Sequence, residues 1–193
     1  MGRREKGSKA MRVFYAIEFP EPVQSEFAAL RNAVRDRMEK GSLTRTGNFH
    51  LTLRFIGEAA PADWTTLVRI GETAARAMRP FSLLPTGWGT FGKPGQSILW
   101  IGLRNDPSLL ALQRAVEAAV QSGGYPGETK PFRPHVTIGR QVRLACSTSE
   151  LPDPAAGLPN LPALSVAGLS LMESVREEGV LVYRRLHWFP LMS

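Results

Sequence analysis

Cysteine is almost missing from this chain. Cys146 stands alone among 193 residues, which excludes an internal disulfide and a cysteine-built zinc site and fits a reducing compartment. Long apolar runs are missing too, since none approaches the roughly 18 residues that a membrane span needs. The polar, basic start from Met1 to Lys9 has no apolar stretch behind it, so no secretory leader is expected, and Lys6 breaks a myristoylation pattern. Acidic residues are outnumbered, 17 against 24 Lys plus Arg, for a net charge of +7 and a pI near 10.2, a balance that favours polyanionic partners. Histidine is scarce at three. These absences leave a soluble, cytoplasmic protein, expected to be a monomer with no obligate protein partner and no contact with a membrane.

What remains is an ordinary globular composition, 43% hydrophobic and 21% charged, long enough for one sizeable core. Residues 1–10 read as a basic disordered tail and 11–193 as a single domain. Arg12 to Phe19 has the β-branched and aromatic content of a first strand. After Pro20, a helix is expected through Val23, Phe27, Leu30, Val34 and Met38 until Gly41 stops it. A second helix spans about Ala62 to Met78, and a third, capped by Asp106, runs through Leu109, Leu112, Val116 and Val120 to Gly123-Gly124. Strands are expected at Phe81–Thr86 and Ser97–Leu103, with residues 87–95 as an irregular glycine-rich loop. Residues 145–163, with four prolines and little periodicity, read as a long spacer loop. Leu164–Glu173 and Val180–Phe189 close the chain as a hairpin. Without a strict βαβ alternation, the fold class is α+β with mainly antiparallel strands.

Two of the three histidines open the same four-residue pattern: His50-Leu51-Thr52-Leu53 and His135-Val136-Thr137-Ile138. Side chains alternate across a strand, so each His and Thr share one face while the aliphatic residues bury the other. A lone half-buried histidine on a strand is an ordinary structural residue; two copies of one pattern, each after a turn-like or proline-bearing lead, point to a paired role. Two imidazoles and two hydroxyls facing a cleft make a phosphoryl site that needs no metal or cofactor. One imidazole donates a proton, the other accepts one, and Thr52 and Thr137 hold phosphate oxygens. The motifs lie in similar halves, each running strand, helix, His/Thr strand. Arg54 and Arg133 flank the motifs and are candidate contacts to a polyanion's phosphates; Phe49, Phe132 and Trp88 are candidates to stack a base if that partner is a nucleic acid. His187, without a Thr partner, and Cys146 read as structural.

These segments resemble the 2H phosphoesterase superfamily, and within it the RNA 2',3'-cyclic phosphodiesterases related to 2'-5' RNA ligases. The resemblance rests on Arg12 to Ile17, Asn48 to Gly57, Phe91-Gly92 with Leu99 to Gly102, Phe132 to Arg140, and Tyr183 to Trp188. Gln96-Ser97 departs from it where relatives often carry a basic residue. The resemblance implies a bilobal α+β fold, two mainly antiparallel sheets facing a central cleft with helices packed outside. It implies hydrolysis of a ribose 2',3'-cyclic phosphate to a 2'-phosphomonoester, with 2'-5' joining as a side activity. The partner is then RNA with a 2',3'-cyclic phosphate end, tRNA-like or an oligoribonucleotide. It also implies His50 as the acid that protonates the departing 3' oxygen, His135 as the base that activates water, and Arg140 as a phosphate contact. Simple alternation points Arg140 away from His135, so that role requires a bulge or strand end at Gly139. The alternatives are an RNA-end binding module with weak or no catalysis, or the same chemistry on a small cyclic nucleotide or a 2'-5' linked oligonucleotide.

Overall fold

A computed structural model describes residues 10–93, 95–157 and 164–192. The expected tail, apart from Ala10, and part of the 145–163 loop lie outside these residues. The strands are β1 (Met11–Glu18), β2 (Met38–Leu43), β3 (His50–Ala59), β4 (Phe81–Leu83), β5 (Pro85–Phe91), β6 (Ser97–Leu103), β7 (His135–Leu144), β8 (Leu164–Val166), β9 (Gly168–Glu177) and β10 (Val180–Pro190). The helices are α1 (Glu21–Arg35), α2 (Trp64–Arg76), α3 (Pro107–Ser122) and a short α4 (Pro154–Gly157). The fold is α+β and every pairing is antiparallel.

The main sheet runs β10-β9-β1-β3-β7-β6-β5, with β2 beside β7, and β4 and β8 form a separate pair. Its two halves repeat one plan: β1, α1, β3 in the first and β6, α3, β7 in the second, each placing its His-x-Thr strand next to its opening strand. Among the described residues one backbone register pair, Leu51 with Val136, joins β3 to β7. The two half-sheets expected to face each other are therefore one continuous sheet, closed at the centre of both motifs. Beyond that point β7 takes β2 as its neighbour while β3 continues against β1.

One face of this sheet carries the core. Val13, Tyr15, Ile17, Leu51, Leu53, Leu99, Ile101, Val136 and Ile138 are buried there. They pack with the inward stripes of α1 (Val23, Phe27, Leu30, Val34), α2 (Leu67, Ile70, Ala74) and α3 (Leu109, Leu112, Val116, Val120). At roughly 1.5 to 3 kcal/mol for each large apolar side chain removed from water, this layer supplies the stability against which the polar face is built. Asp106 caps α3 as expected, accepting from the Ser108 and Leu109 amides at 2.8 and 3.4 Å. Tyr15 fixes β1 to α2 by donating to the Leu67 carbonyl at 2.6 Å.

Three expectations need correction. The first helix ends at Arg35, and Met38 begins β2, because that segment pairs with β7 instead of prolonging the apolar stripe. Residues 85–91 form a strand rather than an irregular loop. Gly89 suits it because Trp100 lies flat on that strand, only 2.1 Å from where a Cβ would sit. The closing hairpin is β9–β10, with its turn at Glu178-Gly179, both at positive φ, and β8 instead pairs with β4. Two consecutive residues at positive φ match the two-residue turn whose twist suits flanking strands.

Candidate active site

Antiparallel pairing centred on Leu51 and Val136 sets His50 across from Thr137 and Thr52 across from His135. The two aliphatic residues point into the core, fully buried, so the four polar side chains share the opposite, open face. Each strand then breaks its alternation at the same place. In β3, Tyr15 pairs with Arg54 but Ala16 with Thr52, which inserts an extra residue and turns both Leu53 and Arg54 inward. In β7, Leu99 pairs with Gly139 but Trp100 with Thr137, and Ile138 and Gly139 are both buried. The residue after each bulge swings to the polar face: Phe55 in one half and Arg140 in the other, both exposed along the cleft. The irregularity at Gly139 that Arg140 requires is thus present, reinforced by Gln141 at φ 53°.

The rings are held by the backbone. His50 Nδ1 lies 2.8 Å from the Asn48 carbonyl and His135 Nδ1 lies 2.6 Å from the Arg133 carbonyl. A carbonyl only accepts, so both Nδ1 atoms carry hydrogen and the neutral rings leave Nε2 as the free base. His50 Nε2 sits 2.9 Å from Thr52 Oγ1, which donates to it when the ring is neutral. Each imidazole is wedged between aromatic rings. Phe14 and Tyr183 flank His50 at centroid distances of 5.1 and 4.8 Å; Phe91 and Trp100 flank His135 at 5.0 and 6.1 Å.

Burial pushes the His50 pKa down to about 4, and the positive charges of Arg140 and His135 push the same way. Burial also lowers the pKa of His135, again with Arg140 adding to the effect. Both shifts follow from taking a cation out of water beside another cation. Glu18, the cross-strand partner of His50, works weakly against them. Burial would raise its own pKa, but Arg185 holds it low by gripping both carboxylate oxygens at 2.7 and 2.9 Å. Among the described residues no three His, Cys, Asp or Glu side chains gather in a way that would hold a metal ion.

A family model described as the 2'-5' RNA ligase superfamily matches residues 19–178 of this sequence. The chain belongs to that superfamily. A relative from Thermotoga maritima named RNA 2',3'-cyclic phosphodiesterase is 31% identical over 134 residues, covering 67% of this chain and 70% of its own. One of the same name from Geobacillus stearothermophilus is 33% identical over 151 residues, 76% of this chain but 46% of its own, so the chain spans under half the length of that relative. Among solved structures, Thermus thermophilus TT0787 aligns over 94% of this chain and 98% of its own, with TM-score 0.73 at 27% identity. Escherichia coli LigT complexed with 3'-AMP aligns over 96% and 100%, with TM-score 0.78 at 23% identity.

In this member of the 2'-5' RNA ligase superfamily, His50, Thr52, Thr137 and Arg140 line a joint cleft, and His135 stands beside Thr137 on the same face. The other candidates fall elsewhere. Arg54 is turned inward by the β3 bulge and pairs with Glu117 of α3, Nε to Oε2 at 2.7 Å, its NH2 reaching the Pro126 carbonyl. It is unavailable to RNA. Phe49 is buried against Phe27 in the core. Trp88 packs against the core and donates its indole N–H to the Pro152 carbonyl at 2.6 Å, which ties the 145–157 segment to β5. Phe132 is half-buried against the core. Arg133 is exposed, and its structural contribution is its carbonyl. The aromatic neighbours of the imidazoles, Phe14, Tyr183, Phe91 and Trp100, come from flanking strands and needed the sheet order to be found. So did Asn48, buried, whose amide donates to the Leu181 carbonyl at 2.9 Å and whose Oδ1 accepts from the Tyr183 amide at 3.2 Å. That clamp docks β10 beside the residue whose carbonyl orients His50.

The lowered imidazole pKa values have a consequence for stability. Between pH 6.5 and about 4 the unfolded chain protonates His50 while the folded chain does not. Stability therefore falls as the pH drops through this window, with a slope approaching about 1.4 kcal/mol per pH unit for one such group. Urea titrations at pH 7 and pH 5 should show the loss, and His50→Gln should reduce it. An unchanged slope in that variant would show that His50 is not held neutral by the fold.

Proposed function

We propose that this chain hydrolyses the 2',3'-cyclic phosphate ends of RNA to 2'-phosphomonoesters, without a metal ion, by His50 and His135. The observation that carries the reading is the pairing of the two His-x-Thr triplets at Leu51 and Val136, with Arg140 delivered to the same face by a bulge. Phosphodiester chemistry on a strained ring needs an in-line nucleophile, a base, an acid and compensation of the charge on five-coordinate phosphorus. Here His135 Nε2 takes a proton from water as its oxygen bonds to phosphorus. The bond from phosphorus to the 3' oxygen breaks, and His50 Nε2 hands that oxygen its proton. Thr52, Thr137 and Arg140 hold the phosphoryl oxygens, the guanidinium by charge-assisted hydrogen bonds. A ribose 5'-hydroxyl in place of water gives a 2'-5' linkage by the same proton transfers, so joining accompanies hydrolysis as a side activity.

Both rings are driven toward neutrality in the free protein, whereas the reaction needs one of them charged. The phosphate supplies the remedy, because an anion placed between the rings favours the protonated form. The test is the product formed from an oligoribonucleotide ending in 2',3'-cyclic phosphate, followed by phosphorus NMR with and without EDTA. The expected product is the 2'-monophosphate at an unchanged rate in chelator. A 3'-monophosphate would reverse the roles assigned to the leaving oxygen, and inhibition by EDTA would remove the metal-free mechanism. Tight binding without turnover would favour an RNA-end binding module.

A further inference from the structure

The cleft divides at His50 into two compartments of about 800 and 500 Å³, which share His50, Arg140, Arg176, Leu181 and Tyr183. Their other walls differ in kind. The larger is bounded by Arg12, Phe55, Glu58 and Glu173, with the buried Phe14 beside Phe55 and hydroxyls at Thr52 and Ser174. Phe14 and Phe55 lie nearly parallel there, 22° between planes, with Arg12 over the Phe55 ring at 4.9 Å. The smaller has no carboxylate on its walls; its own groups are Ser42, Thr44, Arg45, Thr137 and Gln141. Counting the shared arginines, three guanidiniums and no acid face the smaller space, against three guanidiniums and two acids in the larger. An aromatic wall tempered by acids accepts a base; hydroxyls with uncompensated guanidiniums accept phosphate oxygens.

The strip that bears Arg45 is fixed in place. Arg31 donates to the Thr44 carbonyl at 2.8 Å and to Thr46 Oγ1 at 3.3 Å, the Thr44 amide donates to the Ile138 carbonyl at 2.8 Å, and the Arg45 carbonyl accepts from the Asn48 amide at 2.9 Å. Among the described residues Arg45 is in no ion pair, while Arg54, Arg143, Arg184 and Arg185 each are.

We propose that the smaller compartment is a subsite for the phosphodiester on the 5' side of the terminal nucleotide, with Arg45 as its specificity residue, so that the preferred substrate is an oligoribonucleotide end rather than a nucleoside cyclic phosphate. The inference rests on the hydrolase reading above. The terminal base enters the larger compartment, the cyclic phosphate sits at the imidazoles, and the preceding phosphate meets Arg45, Thr44 and Ser42.

The experiment compares kcat/KM for a nucleoside 2',3'-cyclic phosphate bearing a free 5'-hydroxyl with that for a dinucleotide ending in the same group, in wild type and in Arg45→Gln. The wild type is expected to prefer the dinucleotide by about tenfold, the ordinary scale of one charge-assisted contact. Arg45→Gln should lose most of that preference through KM, leave the mononucleoside within about twofold, and flatten the salt dependence for the dinucleotide by about 0.7 in log–log slope. Equal turnover of the two compounds by the wild type, or equal loss on both in the variant, overturns the subsite alone. Turnover of neither by the wild type overturns the hydrolase reading and the subsite with it.

Discussion

His50→Ala and His135→Ala are each expected to lower the turnover of a cyclic-phosphate RNA end by on the order of 10² to 10⁴, with thermal melting near that of the wild type. The expectation follows from where the rings sit. Each is half-buried on the polar face, tied to its own strand by a backbone carbonyl two residues earlier, and neither belongs to the apolar layer that holds the sheet to the helices. Removing one ring takes away a proton donor or acceptor and little packing. The pH dependence should be bell-shaped in the wild type and lose one limb in each variant, because one imidazole must be charged while the other is not. The profile of kcat, which reports the complex, should lie alkaline of that of kcat/KM, which reports the free protein with its lowered pKa values. Wild-type turnover in both alanine variants would end the assignment.

Arg54→Met carries the largest expected effect on stability, a loss of about 3 kcal/mol. The Arg54 side chain is 9% exposed and Glu117 17%, and their 2.7 Å approach is a close ion pair, though not aligned as a hydrogen bond. NH1 and NH2 also satisfy the carbonyls of Phe55 and Pro126. Methionine fills a similar volume but abandons a carboxylate and two carbonyls at the junction of β3, α3 and the turn after it, and deserted buried acceptors are what make such substitutions costly. Denaturant unfolding measures the loss, and turnover well below the melting temperature should stay near the wild-type value. A variant as stable as wild type but with a raised KM for RNA would return Arg54 to the cleft.

That residue also shows what one sequence reveals and what it conceals. The His-x-Thr strings declare their own orientation, since alternation over four residues needs no partner, and the helix stripes at Val23, Phe27, Leu30 and Val34 declare theirs. The bulges are another matter. An extra residue in β3 is defined by Tyr15 and Ala16 on the neighbouring strand, so the sequence alone places Arg54 on the same face as His50, and the structure turns it inward. The equivalent break in β7 was demanded at Gly139 by the phosphate role that the resemblance implies for Arg140, and nothing made a like demand on β3. Phe14, Trp100 and Tyr183 were legible as strand aromatics, whereas Phe91 fell in the expected glycine-rich loop; all four acquire their place beside the imidazoles only through the order of strands in the sheet. Trp88 and Phe49, equally aromatic and nearer to glycine or to a motif in sequence, go to the core. The start of β2 at Met38 was hidden because its apolar residue also suits the helical spacing before it.

The backbone rung at Leu51 and Val136, the one register pair between β3 and β7 among the described residues, gives the molecule a mechanical character. With β2 beside β7 and Arg54 against Glu117 tying the halves elsewhere, this rung acts as a rivet between two stiff plates, directly beneath the reacting groups. A methylene lost from either rivet residue, or from the helix side chains under it, alters the dihedral between the plates and with it the span from one imidazole to the other. Substitutions that never meet the substrate should therefore register first as slower chemistry and only afterwards as a lower melting point.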